Sequence, residues 1–346
     1  MKPHQNILFI GSIGLENAED VFNTLGKVIG KRAKRYPDGE TGTRGYWIRW
    51  VNASLANDTQ LELIENRMVA GIQDNTQRPF YKLKDGVSAD ELELGKFGYA
   101  KHAIASYSKF KALKQAGKIP AATRFQVSMP TPMAILAGFF DLAAQQAAEL
   151  AVEKVFVAEV AEVLAAIPNS ELALQWDVCY EIVAYEGGPP IFYENILSGT
   201  VERVNRLIGT ISSETEVGIH LCYGDPGHKH IIEPKDLNTS VNFANAICDG
   251  ASRDVSWIHM AVPHERHDDE YFKPLQDLNL QESTELYLGL IHKRDGLDGA
   301  KKRILAAENS RPEFGIATEC GFGRRPPETI LELLQLHADI ADLPRL

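Results

Sequence analysis

Several short stretches of this 346-residue chain carry side chains able to bind a transition metal. His220-Leu221-Cys222 closes an apolar run that reads as a strand, and residues two apart on a strand project to the same face, roughly 6.5 Å apart. An imidazole and a thiolate so placed can share one ion, with bonds of about 2.0–2.3 Å for zinc. Cys320, in Thr318-Glu319-Cys320-Gly321-Phe322-Gly323, follows another such run, and His259, in Trp257-Ile258-His259-Met260, lies near the end of a third. Brought together, His220, Cys222, Cys320 and His259 would make a zinc site. His220, His228, His230, His259, His264, His267 and His292 all fall in this region and make up seven of the chain's ten histidines. Taken alone, His-x-Cys reads more simply as a buried cysteine beside a hydrogen-bonded core histidine. The strand-end placement of Cys320 and His259 is what favours the metal.

Distant strand ends converge only if the elements are arranged for it. Candidate strands are Asn6–Ile10, Lys34–Tyr36, Arg124–Ser128, Leu172–Asp177, Glu216–Cys222, Val255–Ala261, Glu285–Ile291 and Glu313–Thr318. Helix-like segments lie between most of them: Asn17–Ile29, Thr131–Ile167, Thr200–Ser212, Pro234–Asp249, Leu297–Ala307 and Pro326–Ile340. Apolar strands alternating with amphipathic helices indicate a parallel sheet covered on both faces. Eight strands suit a closed (β/α)8 TIM barrel, whose active sites form at the C-terminal strand ends. The expected fold is therefore α/β: one TIM-barrel domain over residues 1–346, with a helical and hairpin insertion at about 41–118 after the second strand. The hairpin is expected around Lys84-Asp85-Gly86, and the insertion could serve as a lid. A doubly wound open sheet would need a glycine-rich phosphate turn after the first strand, and Gly11-Ser12-Ile13-Gly14 is only a fragment of one.

The formal net charge of -11 has the wrong sign for gripping phosphate backbones, which argues against a nucleic-acid partner. The one dense basic stretch, Lys31-Arg32-Ala33-Lys34-Arg35, reads as a solvated helix end. Ile7-Leu8-Phe9-Ile10 is too short for a signal-peptide core, and no run reaches the roughly 18 apolar residues that span a bilayer. No membrane partner and a cytoplasmic location are expected, with thiols kept reduced. Cys179, Cys222, Cys248 and Cys320 are then buried thiols or metal ligands rather than disulfides.

The order of these motifs resembles the C-terminal catalytic half of cobalamin-independent methionine synthases, nearly end to end. Gly218-Ile219-His220-Leu221-Cys222-Tyr223 resembles the family's His-x-Cys-Tyr zinc motif, and Glu319-Cys320-Gly321 its Asp-Cys-Gly ligand motif. Ile10-Gly11-Ser12 resembles the opening Gly-Ser that touches the amino-acid substrate, which implies substrate binding by Gly11 and Ser12. Asp38-Gly39-Glu40 resembles the Gly-Glu motif whose carboxylate, here Glu40, holds the substrate amine. Gln175-Trp176-Asp177 stands where the family has Gln-Ile-Asp, making Asp177 the second amine-binding carboxylate. Leu290-Ile291-His292 falls on Asp-Ile-His, whose histidine transfers a proton. There are two departures. The family's glutamate ligand is replaced at His259, leaving His259 or Glu265 as the fourth ligand, and its Asp-Glu-Pro is here Asp177-Val178-Cys179.

The resemblance implies a Zn2+-dependent enzyme that transfers a methyl group to a small-molecule thiol, homocysteine by default. The donor would be a methylated folate or a corrinoid protein. Only a thiolate attacks carbon well, and an open zinc position would generate one at neutral pH. His292 would then protonate the leaving amine. Arg324-Arg325 could meet an anionic donor, and Tyr46, Trp47 and Trp50 could line a pterin-sized pocket, whereas Asp225 and Glu233 read as turn and loop residues. Two other classes stand beside this one. One is a metal-free lyase or decarboxylase on the same barrel, resembling uroporphyrinogen decarboxylase; the other is a non-catalytic zinc-binding barrel.

Overall fold

Seven parallel strands form one sheet in the computed structural model, which describes residues 6–68, 77–227 and 229–343. In chain order the strands are β1 (Arg35–Pro37), β2 (Leu61–Met68), β3 (Gln77–Leu83), β4 (Arg124–Pro130), β5 (Leu172–Val178), β6 (Glu216–Leu221), β7 (Trp257–Ala261), β8 (Glu285–Ile291) and β9 (Gly315–Thr318). Their order in the sheet is β1-β4-β5-β6-β7-β8-β9, while β2 and β3 pair with each other, antiparallel. Each strand of the large sheet is followed in the chain by at least one helix, the last by Ile330–Ala341. Helix Ala18–Val28 shows how the sequence produces such a unit. Asn17 caps it by accepting from the Asp20 N–H, acidic Glu19 and Asp20 fill its first turn, and Val21, Phe22 and Leu25 are buried. Strand β5 is buried at every position, as a sheet covered on both faces requires.

The sequence expectation holds closely for seven of the strands, whose bounds shift by at most a few residues. It needs correction at the first. Residues 6–10 form no regular strand; Ile7 makes single parallel bridges to Ala33, beside β1, and to Ile316 on β9. The Ile7 N–H donates to Arg32 O at 2.8 Å and the Leu8 N–H to Ile316 O at 3.0 Å, so this segment touches both edges of the sheet. The next carbonyls accept from side chains of the sheet. Gln126 donates to Phe9 O at 2.7 Å and Gln175 to Ile10 O at 2.6 Å.

Residues between β1 and β4 contribute a helical stretch over Gly42–Leu55, the β2–β3 hairpin and helix Tyr99–Gln115. The hairpin differs from expectation: Lys84-Asp85-Gly86 follows β3 rather than joining the strands, and the connecting residues 69–76 lie outside the described ones. At the N-terminal ends of the strands, buried Arg35 pairs with Glu216 and Glu285 and lies over the Trp257 ring, 4.2 Å from its centroid. Charges at that end are matched. Among the described residues, no helix is long and apolar enough to cross a membrane.

Candidate active site

At the opposite, C-terminal ends of the strands, register brings the candidate residues side by side. Asp177 on β5 pairs with His220 on β6, and His220 pairs with His259 on β7, so the three share one rung. Cys222 comes just past β6, anchored by its N–H to Val178 O at 3.0 Å. Cys320 comes two residues after β9. Its loop is stitched to the N-terminal segment: Phe322 N–H donates to Ser12 O at 2.8 Å, and Gly323 N–H to Ser12 Oγ at 3.2 Å. A Cβ on Gly321 would lie 2.3 Å from Ser12 Oγ, so that close approach depends on glycine.

The ligand atoms of His220, Cys222 and Cys320 all lie within 4.8 Å of one another. Cys222 Sγ and Cys320 Sγ are 3.8 Å apart. A tetrahedral centre bonded to both sulfurs at about 2.3 Å would hold them about 3.8 Å apart. His220 is buried, and its Nε2 has no hydrogen-bond partner, an arrangement that costs free energy unless something binds there. Burial holds His220 well below its ordinary pKa, so its ring is neutral and can offer a lone pair. Contact with Cys179 holds the Cys222 thiol high, and contact with Cys222 together with burial does the same to Cys320. The Gly224 N–H, 3.2 Å from Cys222 Sγ, is placed to support a thiolate once one forms. The donor set, two sulfurs and one imidazole, suits zinc.

His259 does not join this group. Its Nδ1 lies 2.8 Å from His220 Nδ1 and its Nε2 lies 3.1 Å from Thr318 O, so both ring nitrogens are engaged away from the sulfurs. It stands behind His220. Glu265, the alternative fourth ligand, is exposed beside His264, on the wall of a different cavity. Neither His259 nor Glu265 thus lies with the three grouped ligand atoms in this structure.

One cavity of about 320 Å³ collects the remaining groups. Gly11, Ser12, Glu40, Asp177, His220, Cys222 and Cys320 all line it. Asp177 is buried and Glu40 half-buried, and both carboxyls line the same cavity. Burial, then the neighbouring Asp177 charge, pushes Glu40 up to about 8. Burial pushes Asp177 up to about 7, opposed by hydrogen bonds from Gln175 and Trp47. A cation entering here would relieve both. The backbone presenting Glu40 is strained: Glu40 and Trp47 are the two non-glycine residues with positive φ among those described, at 46° and 56°. Asp38 holds Glu40 in place by accepting its N–H at 2.9 Å, and is itself fixed by Arg44 and Ser106, each at 2.7 Å. A Cβ on Gly11 would come within 2.5 Å of Glu40 Oε1, so glycine makes room for that carboxylate.

Of the other wall residues, Tyr46, Trp47 and Arg324 stand where the sequence suggested a pocket wall, whereas Cys179, Tyr180, Arg49 and Arg78 were not legible in the sequence. Cys179 packs against Cys222, and Trp47 stacks on Tyr180 with ring centroids 5.8 Å apart. Arg78, carried in by β3, donates to Tyr180 OH at 3.0 Å, and Arg49 and Arg324 also line the cavity. Nothing local in a hairpin strand marks its arginine as an active-site residue. Trp50 packs instead on Tyr99 and His102, and Arg325 faces elsewhere. Asp225, read as a turn residue, lines the cavity and pairs with Arg324 at 3.2 Å.

His292, like His259, is an expected site residue that does not line this cavity. It lines a second cavity of about 720 Å³ together with His230, His264 and Glu319. Its Nε2 donates to Val262 O at 2.9 Å, and its Nδ1 lies 3.6 Å from Glu319, the chain neighbour of Cys320. Glu319 is held well below the usual carboxylate range, despite burial, by His230 and His292, and His230 is raised to about 10 by Glu233 and Glu319 against its burial. His228 lies outside the described residues.

No protein-family profile matches the sequence, and no curated protein does either. Solved structures do match. A B12-independent methionine synthase from Shewanella sp. W3-18-1, solved in complex with selenomethionine, has a TM-score of 0.63 at 13% identity, covering 98% of this chain and 96% of its own. A putative vitamin-B12-independent methionine synthase from Listeria monocytogenes gives 0.59 at 14% identity, with 96% of each chain covered. The shared fold therefore extends over nearly the whole of all three chains.

Proposed function

We propose that the chain is a single-domain (β/α)8 barrel, closed by residues 6–10 and carrying residues 41–118 as an insertion, that transfers a methyl group to a thiol amino acid such as homocysteine. The observation that carries this reading is one cavity lined both by an unpartnered His220 Nε2 beside two thiols and by two carboxyls, Glu40 and Asp177, with raised pKa values. The first set suits a metal-bound sulfur and the second an ammonium. A substrate bearing both groups would satisfy the whole cavity. The names of the two solved structures, both B12-independent methionine synthases, point the same way. They lend nothing to a corrinoid donor, so a methylated folate is the donor of choice.

Zn2+, when held by His220, Cys222 and Cys320, would supply the acidity that keeps an entering thiol deprotonated at neutral pH. The protein's own residues do the rest. Glu40 and Asp177 accept the substrate ammonium, with Asp177 oriented by the Gln175 amide at 2.9 Å. Gly11 and Ser12 shape the cavity floor beside Glu40. The Trp47–Tyr180 stack and the arginines Arg49, Arg78 and Arg324 suit a flat donor with an anionic tail. In the transfer, the substrate sulfur forms a bond to the methyl carbon as the carbon–nitrogen bond of the donor breaks, and the leaving nitrogen takes up a proton. His292, assigned that proton by resemblance, acts from the neighbouring cavity beside Glu319.

The test is methyl transfer from a methylated folate to homocysteine, followed as methionine formed, using zinc-loaded protein. Turnover that is abolished by Cys320→Ser and weakened by Asp177→Asn, chiefly through KM, supports the reading. Turnover that survives Cys320→Ser contradicts it.

A further inference from the structure

His259 stands where the sequence suggested a metal ligand, yet it points away from the sulfurs. Its contacts define a different task. The Thr318 carbonyl can only accept, so the His259 Nε2 that lies 3.1 Å from it must carry a proton. A neutral imidazole carries one N–H, which leaves His259 Nδ1 with a bare lone pair. That lone pair faces His220 Nδ1 at 2.8 Å, so His220 must donate from Nδ1. The His220 proton is then committed to the side away from the cavity, and Nε2 is left bare toward Cys222 and Cys320. This is the nitrogen that has no partner in the protein.

We propose that His259 is a positioning residue for the metal centre: through the chain Thr318 O, His259, His220, it fixes the tautomer and orientation in which His220 Nε2 can bind a metal. The inference rests on the zinc reading above. It differs from a ligand role, because His259 acts through His220. The rung shared by His220 and His259 on β6 and β7 makes the contact a property of sheet register rather than of a mobile loop. The far end of the chain is the last residue of β9, next to the loop that carries the second thiol ligand, and there Thr318 Oγ1 donates to Cys320 O at 2.7 Å. One histidine therefore ties together the two ligand-bearing segments. Partners of metal-binding histidines commonly fix both tautomer and ring orientation in this way.

Two variants separate this role from simple core packing. His259→Leu fills the space but leaves the His220 Nδ1–H without an acceptor. His259→Asn restores an acceptor, since its Oδ1 falls near the position of the lost Nδ1. Zinc affinity, measured by competition with a chromophoric chelator, should fall about 10–100-fold in His259→Leu and recover to within roughly threefold of wild type in His259→Asn. Long-range 1H–15N correlation spectra of 15N-histidine-labelled, metal-free wild type should show the His220 proton on Nδ1 and that of His259 on Nε2. Equal zinc affinity in wild type and His259→Leu, or a His220 proton on Nε2 in the wild type, overturns the proposal. If His259→Leu does not fold, the wild-type spectrum and His259→Asn decide alone. If wild type binds no zinc, the functional reading fails, while the spectrum still tests the relay.

Discussion

Each donor atom of the proposed centre has a definite protonation state, and that makes its chemistry measurable. Cys222 and Cys320 are held as thiols while His220 is neutral. Zinc entering at neutral pH must therefore displace about two protons, both from sulfur. A pH-indicator titration in weak buffer should record that number, and release of none would show that the thiols are not ligands. The carboxyl pair has the opposite character. Glu40 and Asp177 bind their protons more tightly in the folded protein, with values of about 8 and about 7, than the roughly 4 expected when unfolded. The sign follows: the stability they contribute is present below about pH 4 and is lost as pH rises through about 7 and then 8. Asp177→Asn removes one of the crowded charges and should stabilise the ligand-free protein at pH 8 by about 1–3 kcal/mol, with little effect near pH 4. The same variant should raise KM for an amino-acid thiol about 10–100-fold, as expected for losing a charged hydrogen bond. Thermal melts at the two pH values, paired with kinetics, check both halves. A variant that is less stable than wild type at pH 8 would show that the carboxylate is structural.

Strand register decides which side chains meet. Gly218 on β6 pairs with Trp257 on β7, and a Cβ at 218 would lie 1.8 Å from the indole ring. Two positions along the same pair of strands, the rung holds His220 and His259. Gly218→Ala should therefore cost about 3 kcal/mol, as overpacking of a rigid core does, and should also loosen zinc binding by displacing that rung. Urea melts and metal affinity would report the two effects; a fully tolerated alanine would show that the strands can slide. This level also sets what was legible in the sequence. His220 and Cys222 could be paired from spacing alone because the side-chain period of a strand is two. Cys320 could be placed because a strand end precedes it. His259 could not be placed, since the sequence of β7 carries no record of which β6 residue lies beside it. Residues 6–10 were legible as apolar and extended, but not as a segment whose carbonyls are taken by Gln126 and Gln175 from other strands. Arg78 was out of reach for a related reason. Its place at the cavity depends on how the hairpin folds back, and neighbouring residues do not encode that.

Across the whole molecule, the two ends of the sheet do different work. Arg35, Glu216 and Glu285 pair off at the N-terminal ends of the strands, where burial and charge are balanced. At the other end, an unpartnered imidazole nitrogen, two thiols and two crowded carboxyls are gathered at the cavity, the pattern expected where stability is given up for binding. The ligands come from β6 and from the loop after β9, which is itself stitched to residues 12 and 13. A bound metal would therefore clamp sequence-distant segments together. Zinc at about 100 times its Kd should add about 2.7 kcal/mol to the stability of wild type and nothing to that of a Cys222→Ser/Cys320→Ser protein.

Metal content tests the central claim most directly. The protein would be purified without a chelator or a metal-affinity tag, and zinc per chain measured in wild type and in Cys222→Ser/Cys320→Ser. We predict about one zinc per wild-type chain and none in the double variant, since structural distance and donor chemistry place both sulfurs on one ion. A wild type that takes up no zinc after reconstitution, or a double variant that keeps it, would contradict the account.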